Sequence, residues 1–294
     1  MCILLAMNRP PMEFRITGLP PDKSVRHGNG IGHRSRPLAN GRQFSTLTGM
    51  RSIDLNADLG EGGSHDPELI ALASSANIAC GGHAGDETTM RRAIEACLAN
   101  SVAIGAHPGY EDPAHFGRRA LDLAAAAVED MVSRQVERLT KLAALAGAEI
   151  HHVKPHGALY NQADRNPELA AAVAAGVKKI LPGCGFYVPP AGALAAAGRA
   201  AGLAVSAEGF ADRRYLDNGS LVPRGEDGAV IGDIESAVAQ ALEIARGQRV
   251  FTISNTLIQL PAETLCVHGD GPEAVELLRA VRRALEAAGF TIRA

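Results

Sequence analysis

The stretch S-I-D-L-N-A-D-L-G-E (52–61) decides the reading of the fold. Within it Ile53, Leu55 and Ala57 alternate with Asp54, Asn56 and Asp58, the period of two of a β-strand. Successive strand side chains point to opposite faces, so apolar groups share one side and polar groups the other. A half-solvated strand does this, and so does a strand whose polar face lines a site. Two features favour the site. The strand is short and runs into the permissive loop Gly60-Glu61-Gly62-Gly63, and later apolar segments also end in bursts of His, Asp, Glu or Lys. These bursts are expected to converge on one pocket.

Outward from this stretch a strand–loop–helix cycle recurs. Asp66-Pro67 opens a helix, with proline tolerated in its first turn. Ala76–Cys80 is a short apolar run leading into G-G-H-A-G-D (81–86), and the next helix places Met90, Ile94, Cys97 and Leu98 on one face. Val102–Ala106 ends in H-P-G-Y (107–110), ahead of a long helix over 123–146 striped by Val128, Met131, Val132, Val136, Leu139, Leu142 and Ala143. Glu149–Val153 ends in K-P-H-G (154–157), where Pro155 biases Lys154 toward extended geometry. Helices over Pro167–Ile180 and Ala191–Ala201 alternate with strands over Gly185–Val188 and Leu203–Ala207, the latter running into E-G-F-A-D-R-R-Y (208–215). A longer loop with Gly225, Gly228 and Gly232 precedes a helix near 234–246. Thr264–Val267 reads as the last strand, ending in H-G-D-G (268–271). The closing helix, 272–288, turns Ala274, Leu278, Val281 and Leu285 inward and stops at Gly289.

About seven strands alternating with helices imply an α/β fold with a parallel sheet. The 245 residues from Met50 onward are close to the ~250 typical of a TIM-like (β/α) barrel. A closed barrel also brings every strand end to one place, whereas an open sheet gathers only two or three.

Residues 1–49 differ from the rest. Their seven Lys/Arg against two acids leave +5, so the remainder carries −8 of the whole-chain −3. That acidity argues against nucleic acid as a partner. With Met50 directly before the first strand, residues 1–49 read as an extension from a mis-assigned upstream start codon, a transit peptide being the alternative, with disorder expected in either case. No run approaches the roughly 18 apolar residues of a membrane span. The five cysteines form no C-x-x-C pair and read as reduced and mostly buried, which points to a cytoplasmic protein.

Asp86 suits a helix N-cap without further function, and Cys80 at a strand end suits a small buried hydrophobe. Neither a G-x-S-x-G elbow nor a glycine-rich phosphate cradle occurs. Four histidines at strand ends (His83, His107, His156, His268), with Asp58, Glu61, Lys154 and Glu208 at equivalent positions, favour a site. Clustered His and Asp also suit a metal, and a bound transition metal is left open.

Seven segments in order, I-D-L-N-A-D-L-G-E (53–61), S-A-N-I-A-C-G-G-H-A-G-D (75–86), A-I-G-A-H-P-G-Y (103–110), H-V-K-P-H-G-A-L-Y-N (152–161), E-G-F-A-D-R-R-Y (208–215), S-L-V-P-R (220–224) and C-V-H-G-D (266–270), resemble the LamB/YcsF family. That family is associated with the A component of prokaryotic 5-oxoprolinase. The resemblance implies a seven-stranded β/α barrel related to carbohydrate deacetylases. It also implies opening of the lactam 5-oxo-L-proline to L-glutamate, with Mg-ATP as co-substrate and two further 5-oxoprolinase subunits, the B and C components, as partners. On this resemblance the expected catalytic groups are Asp58, Glu61, His107, Lys154 and His156. Lys154, with Arg213 as second choice, would face the phosphate and the developing oxyanion; Asp58, Glu61, His107 or His156 would serve as base. Asp54, Asn56, His83, Glu208, Arg213, His268 and Asp270 are the expected substrate-binding groups. A metal-dependent deacetylase or amidase working alone is the alternative. A non-catalytic scaffold is a third reading, and it must explain why ionisable groups, costly to leave unpaired, sit at so many strand ends.

Overall fold

The computed structural model describes residues 51–294 other than 270 and 272. The extension expected over 1–49, and Asp270, lie outside the described residues. Strand β1 (Arg51–Leu59) is nine residues long and is the hub of the sheet. Its apolar Ile53, Leu55 and Ala57 join the hydrophobic core, and Asp54, Asn56 and Asp58 are buried too. A strand buried on both faces belongs in a covered parallel sheet.

After β1 come α1 (Asp66–Ile70), β2 (Ser75–Ala79), α2 (Glu87–Asn100), β3 (Ala103–His107), α3 (Ala125–Leu145), β4 (His152–Val153), α4 (Gly157–Asp164) and α5 (Pro167–Ile180). They are followed by β5 (Gly185–Val188), α6 (Ala193–Ala201), β6 (Ala204–Phe210), α7 (Ile234–Gly247), β7 (Arg249–Phe251), β8 (Leu257–Gln259), β9 (Thr264–Val267), α8 (Ala274–Ala287) and β10 (Phe290–Ile292). Strands β1 to β6 pair side by side in parallel, β9 pairs with β6, and β1 pairs with β9, which closes a seven-stranded barrel. The expected TIM-like architecture is therefore present.

Helix stripes fill the space between barrel and surface. All seven expected α3 positions from Val128 to Ala143 are buried, as are Ala274, Leu278, Val281 and Leu285 of α8. In α2 the inward face is Met90, Ala93, Ile94 and Cys97, while Leu98, expected inside, is exposed. One residue past Cys97 turns it about 100° off that stripe. Asp86 caps α2: its side chain accepts from Thr89 N at 2.8 Å, and Thr89 Oγ1 accepts from Asp86 N at 2.7 Å. The reciprocal box supports the purely structural reading of Asp86.

Four helices and strands are additional to those read from the sequence. Helix α4 follows the K-P-H-G turn, β7 and β8 form an antiparallel hairpin, and β10 extends the sheet beside the first half of β1. The last strand is therefore β10 rather than Thr264–Val267. Three-residue strands are too short to show a period. Among the described residues no helix is long and apolar enough to cross a membrane.

Candidate active site

The polar face of β1 turns into the barrel and meets a partner at each level. At the lowest level Asp54 accepts from Ser74 Oγ at 2.6 Å, Ser75 Oγ at 2.7 Å and Thr264 Oγ1 at 2.6 Å. Above it Asn56 Nδ2 donates to Thr264 Oγ1 at 2.7 Å and Glu208 Oε1 at 3.1 Å, while its Oδ1 accepts from Asn77 at 2.7 Å. Asp58, nearest the strand's C-terminal end, accepts from Asn77 Nδ2 and Lys154 Nζ, both at 2.9 Å. The parallel register puts Asn77 opposite Asp58, which keeps these two level, whereas Ser75, opposite Asn56, bonds one level down to Asp54.

Lys154 is the keystone of this stack. Its buried ammonium lies 2.9 Å from both Asp58 Oδ1 and Glu208 Oε1, and 3.0 Å from Cys266 Sγ. Burial pulls the ammonium down, but the adjoining acidic groups outweigh it and hold Lys154 well above the usual lysine value. Burial likewise opposes ionisation of Asp58, and His107 and Lys154 beside it reverse the balance, holding its carboxyl well below the usual range. Cys80 is buried as expected, its thiol pushed up to about 12 by desolvation.

His152 fills the barrel interior across from β1. Its Nε2 lies 2.7 Å from Asn77 Oδ1, its ring stacks on Tyr187 at 3.8 Å, and a Cβ at Gly105 would sit 2.1 Å from Nε2. Only glycine leaves room for the imidazole there. Burial, then the neighbouring His151, holds His152 well below the ordinary imidazole value. The folded protein thus keeps the ring neutral while the unfolded chain can bind a proton. Stability is expected to fall as pH drops below about 6.5, by up to ~1.4 kcal/mol per pH unit from this group. Urea denaturation of wild type and His152→Gln from pH 7 to 5 checks this. An identical pH slope in the two proteins would refute it.

Above the stack, at the C-terminal ends of the strands, lies a cavity of about 530 Å³. Asp58, His107, Lys154, His156 and His268 border it, and Arg118, Arg165, Arg213 and Arg224 stand on its walls. Arg213 is held by donating to Val222 O at 2.6 Å and Ala229 O at 3.3 Å, which ties down the long loop after β6. His268 Nδ1 lies 2.9 Å from Asp212 Oδ2, and its backbone N–H donates to the same oxygen at 3.2 Å. A ring proton directed at that carboxylate leaves Nε2 as an acceptor. Burial raises the Asp212 carboxyl, but His268 outweighs it and keeps it below the usual value.

Beside the cavity, Glu61, His83, His107 and His156 each bring one donor atom within 4.8 Å of the others. His83 Nε2 is 3.2 Å and His156 Nδ1 3.4 Å from Glu61 Oε1. His83 stacks on His156 with ring centroids 3.6 Å apart, and a Cβ at Gly117 would lie 2.6 Å from that of His83. Gln135 of α3 braces this side, donating to Gly109 O at 2.7 Å and accepting from Gly109 N at 3.0 Å. Burial lowers both His83 and His156 from the ordinary value.

The structure thus divides the residues expected from the sequence. Asp58, His107, Lys154, His156, Arg213 and His268 border the cavity, with Glu61 and His83 adjoining. Asp54 and Asn56 lie in the stack below, and Glu208 joins them through Asn56 and Lys154. Asn77, His152 and Thr264 bond within the stack and Asp212 holds His268, and the sequence reading does not single out any of the four. Ser75–Asn77 and Thr264–His268 carry the same two-residue alternation as β1, which is the available signal. His152 and His156 are spaced four apart, yet only His156 reaches the histidine cluster. In a strand end followed by proline that spacing does not align two rings as it would on a helix.

The LamB/YcsF family model matches residues 53–294. A lactam utilization protein from Thermus thermophilus is 42% identical, with a TM-score of 0.78, over 83% of this chain and 99% of that one. A family 4 carbohydrate esterase from Streptomyces lividans matches more distantly, at 12% identity and a TM-score of 0.45 over 82% of this chain and 91% of that one. The family match runs from β1 to the C-terminus, through every strand end that borders the cavity. On that ground the chain belongs to the LamB/YcsF family.

Proposed function

We propose that this chain is the lactam-opening component, the A component, of an ATP-dependent 5-oxoprolinase that releases L-glutamate from 5-oxo-L-proline together with the B and C components. The observation that carries this reading is a single cavity in which Asp58, His107 and His268 lie under walls bearing four arginines. Acid–base groups suit amide cleavage, and a cationic wall suits a substrate carboxylate and a phosphoryl group. Likeness to a lactam utilization protein supports the choice of a cyclic amide.

Amide resonance makes the lactam carbonyl a poor electrophile. Transfer of the γ-phosphoryl group of Mg-ATP to the amide oxygen, with ADP leaving, activates the ring carbon. Water adds there as a base takes its proton, and the C–N bond breaks as the nitrogen gains a proton. A second water then hydrolyses the acyl phosphate to carboxylate and phosphate. His268, oriented by Asp212 and accepting at Nε2, is suited to take the proton from water. Lys154 keeps Asp58 ionised and in place. The wall arginines are suited to hold the carboxylate and phosphoryl oxygens.

Glutamate release from 5-oxoproline with Mg-ATP tests this, using the chain alone and then with its partner subunits. Turnover is expected only in the mixture, with His268→Gln lowering kcat by about 10²–10⁴ while the complex still assembles. Full activity of His268→Gln in the mixture would move the chemistry out of this cavity. Amide cleavage by the chain alone without ATP would instead favour a stand-alone amidase.

A further inference from the structure

The hydrogen bonds around His107 and His156 leave an electrostatic problem. His107 Nδ1 lies 2.7 Å from the Lys154 carbonyl oxygen, and His156 Nε2 lies 3.0 Å from the Phe116 carbonyl oxygen. A carbonyl only accepts, so each of these nitrogens carries the ring proton. In the neutral rings the remaining nitrogens, His107 Nε2 and His156 Nδ1, present lone pairs to each other at 2.9 Å. Glu61 Oε1 adds a carboxylate oxygen 3.4 Å from His156 Nδ1 and 4.0 Å from His107 Nε2, and Asp58 Oδ2 lies 3.4 Å from that same His107 nitrogen. His83 Nε2 stands beside that oxygen at 3.2 Å. Two imidazole lone pairs and a carboxylate oxygen thus face one point, with a third imidazole nitrogen at its edge.

We propose that Glu61, His83, His107 and His156 form a binding site for one divalent transition-metal ion. The separations suit it: donors around a tetrahedral zinc at bond lengths near 2.0–2.1 Å stand about 3.3–3.5 Å apart. The carbonyl bonds to His107 and His156 are the outer contacts that fix tautomer and ring direction in metal-binding histidines. His83 is held by packing instead, stacked on His156 and crowded by Gly117. Three imidazoles and one carboxylate favour zinc, cobalt or iron over magnesium, which prefers oxygen ligands and retained water. The site is therefore separate from any magnesium that accompanies ATP. A metal held there would supply Lewis-acid polarisation at the edge of the cavity. The inference concerns the same site but does not rest on the lactam reading.

Metal content and metal titration test it without recourse to activity. The full chain, stripped with a chelator and dialysed, is titrated with Zn²⁺ and with Co²⁺ by calorimetry, and bound Co²⁺ is followed through its visible d–d bands. One equivalent is expected to bind. Glu61→Gln should weaken binding tenfold or more, and His83→Ala with His107→Ala should abolish it at unchanged far-ultraviolet circular dichroism. His268→Gln, which alters the neighbouring Asp58–Cys266–His268 group, should still bind one equivalent. Absence of stoichiometric uptake by the stripped wild-type chain would overturn the proposal and leave a shared proton between the rings. Uptake lost only in His268→Gln would also overturn it. Glutamate release is measured separately, so failure of the metal site and failure of the lactam reading remain distinguishable.

Discussion

Replacing Lys154 with methionine is expected to lower the unfolding free energy by about 3–5 kcal/mol, the usual consequence of removing one partner from a buried ion pair. The direction follows from what is left behind. Asp58 and Glu208 each have an oxygen 2.9 Å from the ammonium, and both side chains are buried. Methionine fills much of the lysine volume, so the loss reports the stranded charge rather than a cavity. Urea denaturation at neutral pH reads it directly. The companion variant Lys154→Met with Glu208→Gln should recover part of the loss, because one of the two stranded carboxylates becomes a neutral amide. A loss below about 1 kcal/mol, a size usual for exposed pairs, would show that Lys154 is not the keystone. Abolished turnover in Lys154→Met would then be read together with its stability.

Gly105→Ala is expected to destabilise the barrel by about 3 kcal/mol or more, at the upper end of what overpacking costs. The new Cβ would lie 2.1 Å from His152 Nε2, 2.4 Å from Cε1 and 2.6 Å from Cδ2. The ring has little room to retreat, since it lies 2.7 Å from Asn77 Oδ1 and stacks on Tyr187 at 3.8 Å. Gly225→Ala is the control, because nothing lies within 4 Å of a Cβ there. Thermal unfolding should show a large fall in Tm for Gly105→Ala and almost none for Gly225→Ala. Adding His152→Ala to Gly105→Ala should cost less than the sum of the single changes, as the clash disappears. Equal Tm values for Gly105→Ala and wild type would mean that the interior is looser than the packing indicates.

Much of the fold is legible because each barrel strand is a short apolar segment followed by polar groups, and each long helix has one apolar stripe. The period tells which way a side chain faces. It does not tell how deep in the barrel the side chain lies. Asp54, Asn56 and Asp58 share a face and look equivalent in sequence, yet Asp54 meets Ser74, Ser75 and Thr264 while Asp58 borders the cavity. Leu98 lies outside its expected stripe because a single helical position separates a buried face from an exposed one. The β7–β8 hairpin and β10 escape a sequence reading because three residues cannot display a period.

Local patterning carries the alternation of strands and helices, the parallel class, and the strand ends where chemistry gathers. Those are consequences of local periodicity and of motifs that stay contiguous along the chain. Chain folding in three dimensions sets Asp212 beside His268 across 56 positions and joins Lys154 to Asp58 and Glu208. It alone also brought Glu61, His83, His107 and His156 to one point. These groupings depend on strand register and barrel closure, which fix neighbours in space between residues whose separation along the chain carries no such information.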